Sequence, residues 1–146
     1  MIATALVVLL AASSGTPPHE FTITAYGAKP DGTTDNRYAI GRAVAAAAAW
    51  ASATGGGGSA GRFAHVVVPA GGSFLTGSIS LATRVYLKLD TGALLLGSAA
   101  QDGYPAAGWN WDPALIDTHN ASFTGVIGSG TIDGESAHPA RIPPFY

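Results

Sequence analysis

The stretch VYLKLDTGALLLGS, residues 85–98, decides the fold of this 146-residue chain. Its first five residues alternate between apolar side chains and side chains with polar ends, in the order Val85, Tyr86, Leu87, Lys88 and Leu89. An alternation with a period of two predicts a β-strand that buries one face and leaves the other at least partly in contact with water. Gly92 then marks a turn, and a second short apolar run follows at residues 94–96. The stretch therefore predicts two short strands joined by a turn.

Similar short apolar segments occur on both sides of this stretch, and Gly or Pro separates them. They lie at residues 66–68, 74–75, 79–81 and 123–127. Helical periodicity is absent here, so these segments predict further strands.

An internal repeat joins the strand pattern to the last third of the chain. Sliding the sequence along itself with an offset of 38 pairs Val85 with Phe123, Leu89 with Ile127, Gly92 with Gly130 and Leu94 with Ile132. The polar, aromatic segment at residues 101–113 then indicates a loop inserted between the two copies. Repeated short strands predict a β-solenoid, in which each coil covers the apolar face of the next. A sandwich or barrel stays open, although two-residue hairpin signals are absent apart from Asp133-Gly134.

One helix is predicted, at about residues 36–54, with Asp35 as its N-cap. A short strand at residues 21–24 precedes it. The apolar face of the helix follows the spacing i, i+4, i+7, i+8 and i+11, at Ile40, Val44, Ala47, Ala48 and Ala51. Because most of these residues are alanine, the helix can lie very close to whatever it covers.

The N-terminal run IATALVVLLAA, residues 2–12, is apolar and is followed by small residues and two prolines. This pattern is typical of a secretory leader, and the run is shorter than the roughly 20 apolar residues that span a bilayer. The first four residues carry no basic side chain, which departs from the usual leader. We predict a signal peptide at residues 1–14 and a secreted protein of the extracellular space or cell wall. The alternative is a buried strand or helix.

The composition excludes several classes of partner. Charged residues are only 11% of the chain, the formal net charge is -2, and the arginines are scattered, so we expect no nucleic-acid partner. There is no Cys, and the four His are dispersed, so we expect no metal and no cofactor. A membrane partner is not expected either.

Four blocks resemble the N-terminal region of known parallel β-helix proteins. They are YGAKPDGTTDNRYAI at 26–40, VVVPAGGSFLTGSISL at 66–81, VYLKLDTGALLLGS at 85–98 and NASFTGVIGSGTIDG at 120–134. In this order and spacing the chain resembles glycoside hydrolase family 28, the polygalacturonase-like proteins, together with the pectate-lyase-like proteins. The resemblance implies an all-β fold, a right-handed parallel β-helix, over residues 15–135. It also implies that the alanine-rich helix caps the first coil, and residues 136–146 are expected to be an irregular tail.

The resemblance gives several of these segments structural roles. Residues 27–32 are expected to form a tight turn before the helix, with Asp31-Gly32 suited to a positive φ. Residues 75–77, 96–98 and 131–134 are expected to be corners between sheets.

The catalytic motifs of the resembled family do not occur in this sequence. Family members carry an Asn-Thr-Asp block, an Asp-Asp pair, a Gly-His-Gly block and an Arg-Ile-Lys block further along the chain. Here Arg141-Ile142 is followed by Pro143. We therefore assign no catalytic residue to this chain.

Some carboxylates still invite a catalytic interpretation. Asp133 and Glu135 would lie about 6.6 Å apart on one face of a strand, near the separation that a glycosidase needs. The Asp133-Gly134 pair at a strand end favours a structural role instead. His119 near Asp117 suggests a general base, but a lone His beside a carboxylate is more often simply solvated.

Two further features suggest binding or modification. Trp109 and Trp111 are candidate substrate-binding residues, because an aromatic face complements the C–H face of a sugar ring. Packing within the loop is the competing interpretation. Asn120-Ala121-Ser122 is an N-glycosylation sequon, with Asn120 as the acceptor.

The functional expectation is an N-terminal segment of a polygalacturonase-like hydrolase that acts on pectic polysaccharide and is inactive by itself. The complete protein is expected to be monomeric once further coils are present. One alternative is a non-catalytic carbohydrate-binding or wall-associated module. Another is a lyase or epimerase fragment on the same solenoid, because a fold does not fix a function.

Overall fold

The computed structural model describes residues 18–53, 62–100, 104 and 114–134. The strands in chain order are β1 (His19–Thr22), β2 (Ala64–Val68), β3 (Ser73–Thr76), β4 (Ile79–Ser80), β5 (Val85–Leu89), β6 (Leu94–Gly97), β7 (Ile116–Asp117), β8 (Gly125–Gly128) and β9 (Thr131–Asp133). A 3-10 helix (Ile23–Tyr26) and one α-helix, α1 (Arg37–Ser52), lie between β1 and β2.

The described strands form three sheets in which every pair is parallel. The sheets have the strand orders β1-β2-β5-β8, β3-β6-β9 and β4-β7. From β2 onward the chain visits the sheets in a repeating order, and successive passes add neighbouring parallel strands to the same sheet. This confirms a mostly β architecture built from parallel strands, with one α-helix among the described residues.

The pairing registers define the repeat and correct its predicted length. Ala64 pairs with Val85 and Ser73 with Leu94, so the offset between the first two passes is 21 in both sheets. The next offset is 39 in the first sheet, where Leu89 pairs with Gly128, and 37 in the second, where Leu95 pairs with Ile132. The predicted offset of 38 lies between these values and is wrong by one position in each sheet. Because successive side chains of a strand point to opposite faces, a register error of one residue would place the buried side chains on the outer face of the sheet.

The core lies between the sheets and is built from stacked side chains at paired positions. Val66 and Leu87 are paired and fully buried, as are the equivalent Phe74 and Leu95 of the second sheet. The alternation predicted for β5 is confirmed, because Val85, Leu87 and Leu89 are buried whereas Tyr86 and Lys88 are half-buried.

The helix α1 packs its predicted face against the β1 end of the first sheet. Ile40, Val44, Ala47 and Ala51 are buried there, and Ala48 packs against the same core. The contacts of α1 are mainly with β1, β2 and the 3-10 helix.

The predicted N-cap, Asp35, is wrong by one residue. Asn36 occupies that position, and its side chain makes no capping hydrogen bond. Asp35 instead accepts hydrogen bonds from the backbone N–H of Arg37 at 2.9 Å and from its guanidinium Nε at 2.6 Å. The carboxylate still supports the first turn, but from one position further out.

Three other local predictions need correction. The predicted strand at residues 21–24 is replaced by the end of β1 and the start of the 3-10 helix. The predicted corner at residues 131–134 contains β9, because Thr131 pairs with Leu94 and continues the second sheet. Strands β3 and β6 extend to Thr76 and Gly97, which shortens the corners predicted at 75–77 and 96–98.

The predictions of a leader at residues 1–14 and a tail at residues 136–146 lie outside the described residues. In the predicted loop at residues 101–113, only Tyr104 is described, and it is buried. None of the helices in the described part of the chain is long and apolar enough to cross a membrane.

Candidate functional site

The structure places the two described candidate carboxylates on different sheets. Asp117 ends β7 in the two-stranded sheet, and Asp133 ends β9 in the three-stranded sheet. Glu135, the proposed partner of Asp133, lies outside the described residues, so that pair stays a prediction.

The Asp117 carboxylate has a structural contact. Its Oδ1 accepts a hydrogen bond of 2.8 Å from the backbone N–H of His119, which supports the turn after β7. The contact involves the main chain of His119, and the residue is exposed. This arrangement favours the solvated, structural interpretation of the pair.

The glycosylation candidate lies in a turn. Asn120 is exposed and has a φ of 61°, and the N–H of Ala121 donates to the carbonyl of Thr118 at 3.0 Å. An asparagine tolerates this left-handed conformation better than most residues. Glycosylation of Asn120 stays a prediction. Trp109 and Trp111, the candidate substrate-binding residues, lie outside the described residues.

The turn at residues 27–34 is a hydrogen-bonded structural unit. The Asp31 carboxylate accepts from the N–H groups of Thr33 at 3.0 Å and Thr34 at 2.7 Å, and from the Thr34 hydroxyl at 2.6 Å. The hydroxyl bond is the largest of the causes that hold the pKa of Asp31 well below its usual range. Gly27 and Gly32 have positive φ, as the sequence predicted for the second of them.

A cluster of aromatic, imidazole and charged side chains lies on the outer face of the four-stranded sheet. We call it the outer patch, and it consists of Glu20, Phe63, His65, Tyr86, Lys88 and Asp90. The Tyr86 ring centroid lies 6.0 Å from that of Phe63 and 6.1 Å from that of His65. Phe63 is 39% exposed. Gly125 pairs with Tyr86 on β8 and has no side chain that could cover the ring.

The charged half of the outer patch bridges separate strands. Lys88 Nζ on β5 lies 2.6 Å from Glu20 Oε1 on β1 and 3.6 Å from Asp90 Oδ1. Strand β2 runs between β1 and β5. Its outward residue Val67, which pairs with Lys88, is only 3% exposed. The hydrogen bond to Glu20 raises the pKa of Lys88, so the ammonium stays charged at neutral pH.

His65 lies between the aromatic and charged halves of the outer patch. Its Nδ1 is buried and has no hydrogen-bond partner. Burial lowers the pKa of His65, and the positive charge of Lys88 adds to this effect, whereas Glu20 opposes it. The imidazole is therefore held in its neutral form.

Sequence reasoning did not assemble the outer patch. The alternation in β5 indicated that Tyr86 and Lys88 face outward, but their neighbours come from distant parts of the chain. Glu20 and His65 join them only through the parallel pairing of β1 with β2 and of β2 with β5. The alternating burial expected of each strand was the sequence signal that could have placed these residues on one outer face.

Two solved structures are similar to this chain. One is the family 28 exopolygalacturonase of Yersinia enterocolitica, with a TM-score of 0.60 and 30% sequence identity over 80% of this chain and 21% of that protein. The other is a candidate glycosyl hydrolase from Parabacteroides merdae ATCC 43184, with a TM-score of 0.64 and 29% identity over 80% of this chain and 45% of that protein. No protein-family model matches the chain, and neither does any curated protein.

The parallel-strand fold and these two neighbours show that the chain is similar to glycoside hydrolases. Within that class, the similarity to the family 28 enzyme confirms the polygalacturonase-like resemblance drawn from the four sequence blocks. The chain spans about a fifth of the length of the first neighbour and less than half of the second.

Proposed function

We propose that this chain is the N-terminal part of a secreted, polygalacturonase-like glycoside hydrolase that acts on pectic polysaccharide. The observation that carries the proposal is the repeated visiting order of the parallel sheets, together with 30% identity to a family 28 exopolygalacturonase. The four sequence blocks add support, because they follow the family order.

The proposed architecture is a right-handed parallel β-helix with α1 as its cap. Parallel crossover connections are right-handed in nearly all proteins, which supports the handedness. The contacts of α1 with β1 and β2 support the capping role, because the helix covers the apolar end of the first sheet. A cap of this kind protects an open strand edge from pairing with other chains.

The proposed chemistry needs two carboxyl groups. An inverting glycosidase uses one protonated acid to release the leaving sugar and one carboxylate to activate water. Asp117 supports a turn, and Asp133 ends a strand of another sheet, so neither residue is given a catalytic role in this proposal. The catalytic residues are accordingly proposed to lie in coils that follow this chain in the complete protein.

A transcript sequence that extends beyond Tyr146 would test the proposal most directly. We expect an Asn-Thr-Asp block in the coils that follow. The longer protein should release reducing ends from polygalacturonate, and the 146-residue chain should release none above a control without enzyme.

Two further readouts on the same substrate separate the proposal from its rivals. Release of an unsaturated uronide that absorbs ultraviolet light would identify a lyase instead. Polysaccharide binding without any cleavage by the longer protein would identify a non-catalytic module. The secretion part is tested by mass spectrometry of the exported protein, where an N-terminus between Ser13 and Pro17 is expected and an intact Met1 would contradict it.

A further inference from the structure

The aromatic half of the outer patch is a partly exposed group of side chains that the core does not need. Phe63, His65 and Tyr86 lie on the opposite side of the sheet from the buried Val66 and Leu87. Tyr86 contacts both other rings, with centroid separations of 6.0 Å to Phe63 and 6.1 Å to His65 and interplanar angles of 54° and 76°, so each ring presents a face of its own. The position paired with Tyr86 on β8 is Gly125, which adds no side chain beside the Tyr86 ring.

The charges beside these rings select against an acidic ligand. Lys88 contacts both Glu20 and Asp90, and the three side chains together carry one positive and two negative charges. The neighbouring Arg62 is directed towards Trp50, with its guanidinium carbon 5.2 Å from the centre of that ring. Lys88 is thus held by two carboxylates, and the three contacting groups sum to a charge of -1. A polyanionic chain laid against the rings would face both carboxylates, whereas a neutral chain meets no such repulsion.

We propose that the outer patch binds a neutral saccharide chain, with Phe63 and Tyr86 as the stacking residues. The C–H face of a neutral pyranose is apolar and fits against an aromatic ring. The carboxylates of Glu20 and Asp90 can accept hydrogen bonds from sugar hydroxyl groups at the edge of the same surface. This inference does not depend on the proposed hydrolase function, because none of these residues takes part in the proposed chemistry.

Saturation-transfer NMR on the 146-residue chain tests the inference. The probes are cellohexaose, a neutral hexamer, and hexagalacturonate, an acidic hexamer of the same length. Saturation transfer from protein to sugar protons is also observed with large or associated proteins, so self-association does not hide it. The variants are Phe63→Leu and Tyr86→Leu, which keep apolar bulk but remove the flat ring.

Tyr38→Ala is the matched control, because Tyr38 is a 75% exposed aromatic residue on α1, outside the outer patch. We expect cellohexaose to bind the wild-type chain and the Tyr38 variant. Each leucine variant should bind it about tenfold more weakly, and hexagalacturonate should not bind through these rings. Thermal unfolding of each variant shows that it is still folded.

Three results would overturn the inference. They are no transfer to cellohexaose in the wild-type chain, equal transfer in the folded leucine variants, and ring-dependent binding that favours hexagalacturonate. Failure here leaves the reducing-end assay of the longer protein unaffected, so the two proposals fail separately.

Discussion

The side-chain amide of Asn36 donates a hydrogen bond of 3.0 Å to the carbonyl oxygen of Leu75, 39 residues further along the chain. The same side chain accepts a hydrogen bond of 2.7 Å from the Lys29 N–H through its Oδ1. Its Nδ2 also donates to the carbonyl oxygens of Lys29 at 3.2 Å and Thr34 at 2.9 Å. Asn36 is only 1% exposed. One buried amide thus joins the turn before α1, the start of the helix and strand β3.

Replacing Asn36 by alanine should destabilise the folded protein. Asn36→Ala leaves the Lys29 N–H without its side-chain acceptor, whereas the Leu75 carbonyl keeps the bond of 2.9 Å from the backbone N–H of residue 36. We therefore expect the free energy of unfolding to fall by about 2 kcal/mol. Urea unfolding followed by circular dichroism measures this change. Ser122→Ala, at an exposed position, is the control and should change stability little. Equal effects of the two substitutions would argue against the role of Asn36.

Two glycines should respond to alanine in opposite directions. Gly41 lies in α1 with nothing within 4 Å of an added Cβ, so Gly41→Ala should stabilise the protein by about 0.5 to 1 kcal/mol. Gly128 has a φ of +105°, and an added Cβ would overlap the carbonyl oxygen of Leu89. Gly128→Ala should therefore destabilise the protein strongly, and thermal unfolding of both variants measures the contrast. A Gly128→Ala variant as stable as the wild-type chain would contradict the close approach of β8 to β5.

The sequence predicted the features that depend on neighbouring residues. The alternation of Val85, Leu87 and Leu89 and the helix face at Ile40 and Val44 follow local periodicity, and both are confirmed by burial. The connection from β8 to β9 is shorter than the connection from β5 to β6. The repeat predicted from the sequence is therefore one position out of register in each sheet. A single offset of 38 cannot represent 39 in one sheet and 37 in the next.

The features that were missed depend on contacts between distant residues. The bond from Asn36 to Leu75 and the pair of Glu20 with Lys88, 68 residues apart, exist only once the parallel registers are set. No periodic pattern in the chain encodes either one. For the same reason, the sequence did not predict the outer patch as a cluster, whereas it did predict single candidate residues such as Asp117.

The pH dependence of stability should report on His65. Its Nδ1 is buried without a partner, and burial lowers its pKa in the folded state. The unfolded chain then binds the proton at a higher pH than the folded chain does. The contribution of neutral His65 to the free energy of unfolding is therefore fully present above its pKa in the unfolded chain, about 6.5, and is lost as the pH falls towards its lower pKa in the folded chain. The charged neighbours are Glu20 and Lys88, and Tyr86 packs against the ring.

The measurement is the free energy of unfolding between about pH 7.5 and 5, above the range where most carboxylates titrate. We expect a decline on acidification in the wild-type chain and a smaller decline in His65→Phe, which keeps a planar ring but cannot take up a proton. His119→Gln is the control, because His119 is exposed in a turn. A slope that is unchanged in His65→Phe would assign the pH dependence to another group.

Self-association should begin at the β8–β9 end of the core. Val126 stacks on Leu87, and Ile132 stacks on Leu95, yet these two residues are 43% and 39% exposed. In the described part of the chain, β8 and β9 each pair with one neighbour, so each also presents an unpaired edge. An exposed apolar surface beside free strand edges favours pairing with another chain.

We therefore expect the average mass of the wild-type chain in light scattering to rise with protein concentration. Val126→Lys combined with Ile132→Lys should lower that mass, because both side chains are exposed enough for an ammonium group to reach water while opposing a second apolar surface. Thr131→Lys, an exposed position on β9, adds the same kind of charge outside the stacked core positions and should leave most of the association intact. A wild-type chain that stays monomeric and melts in one sharp, cooperative transition would show that this end needs no partner.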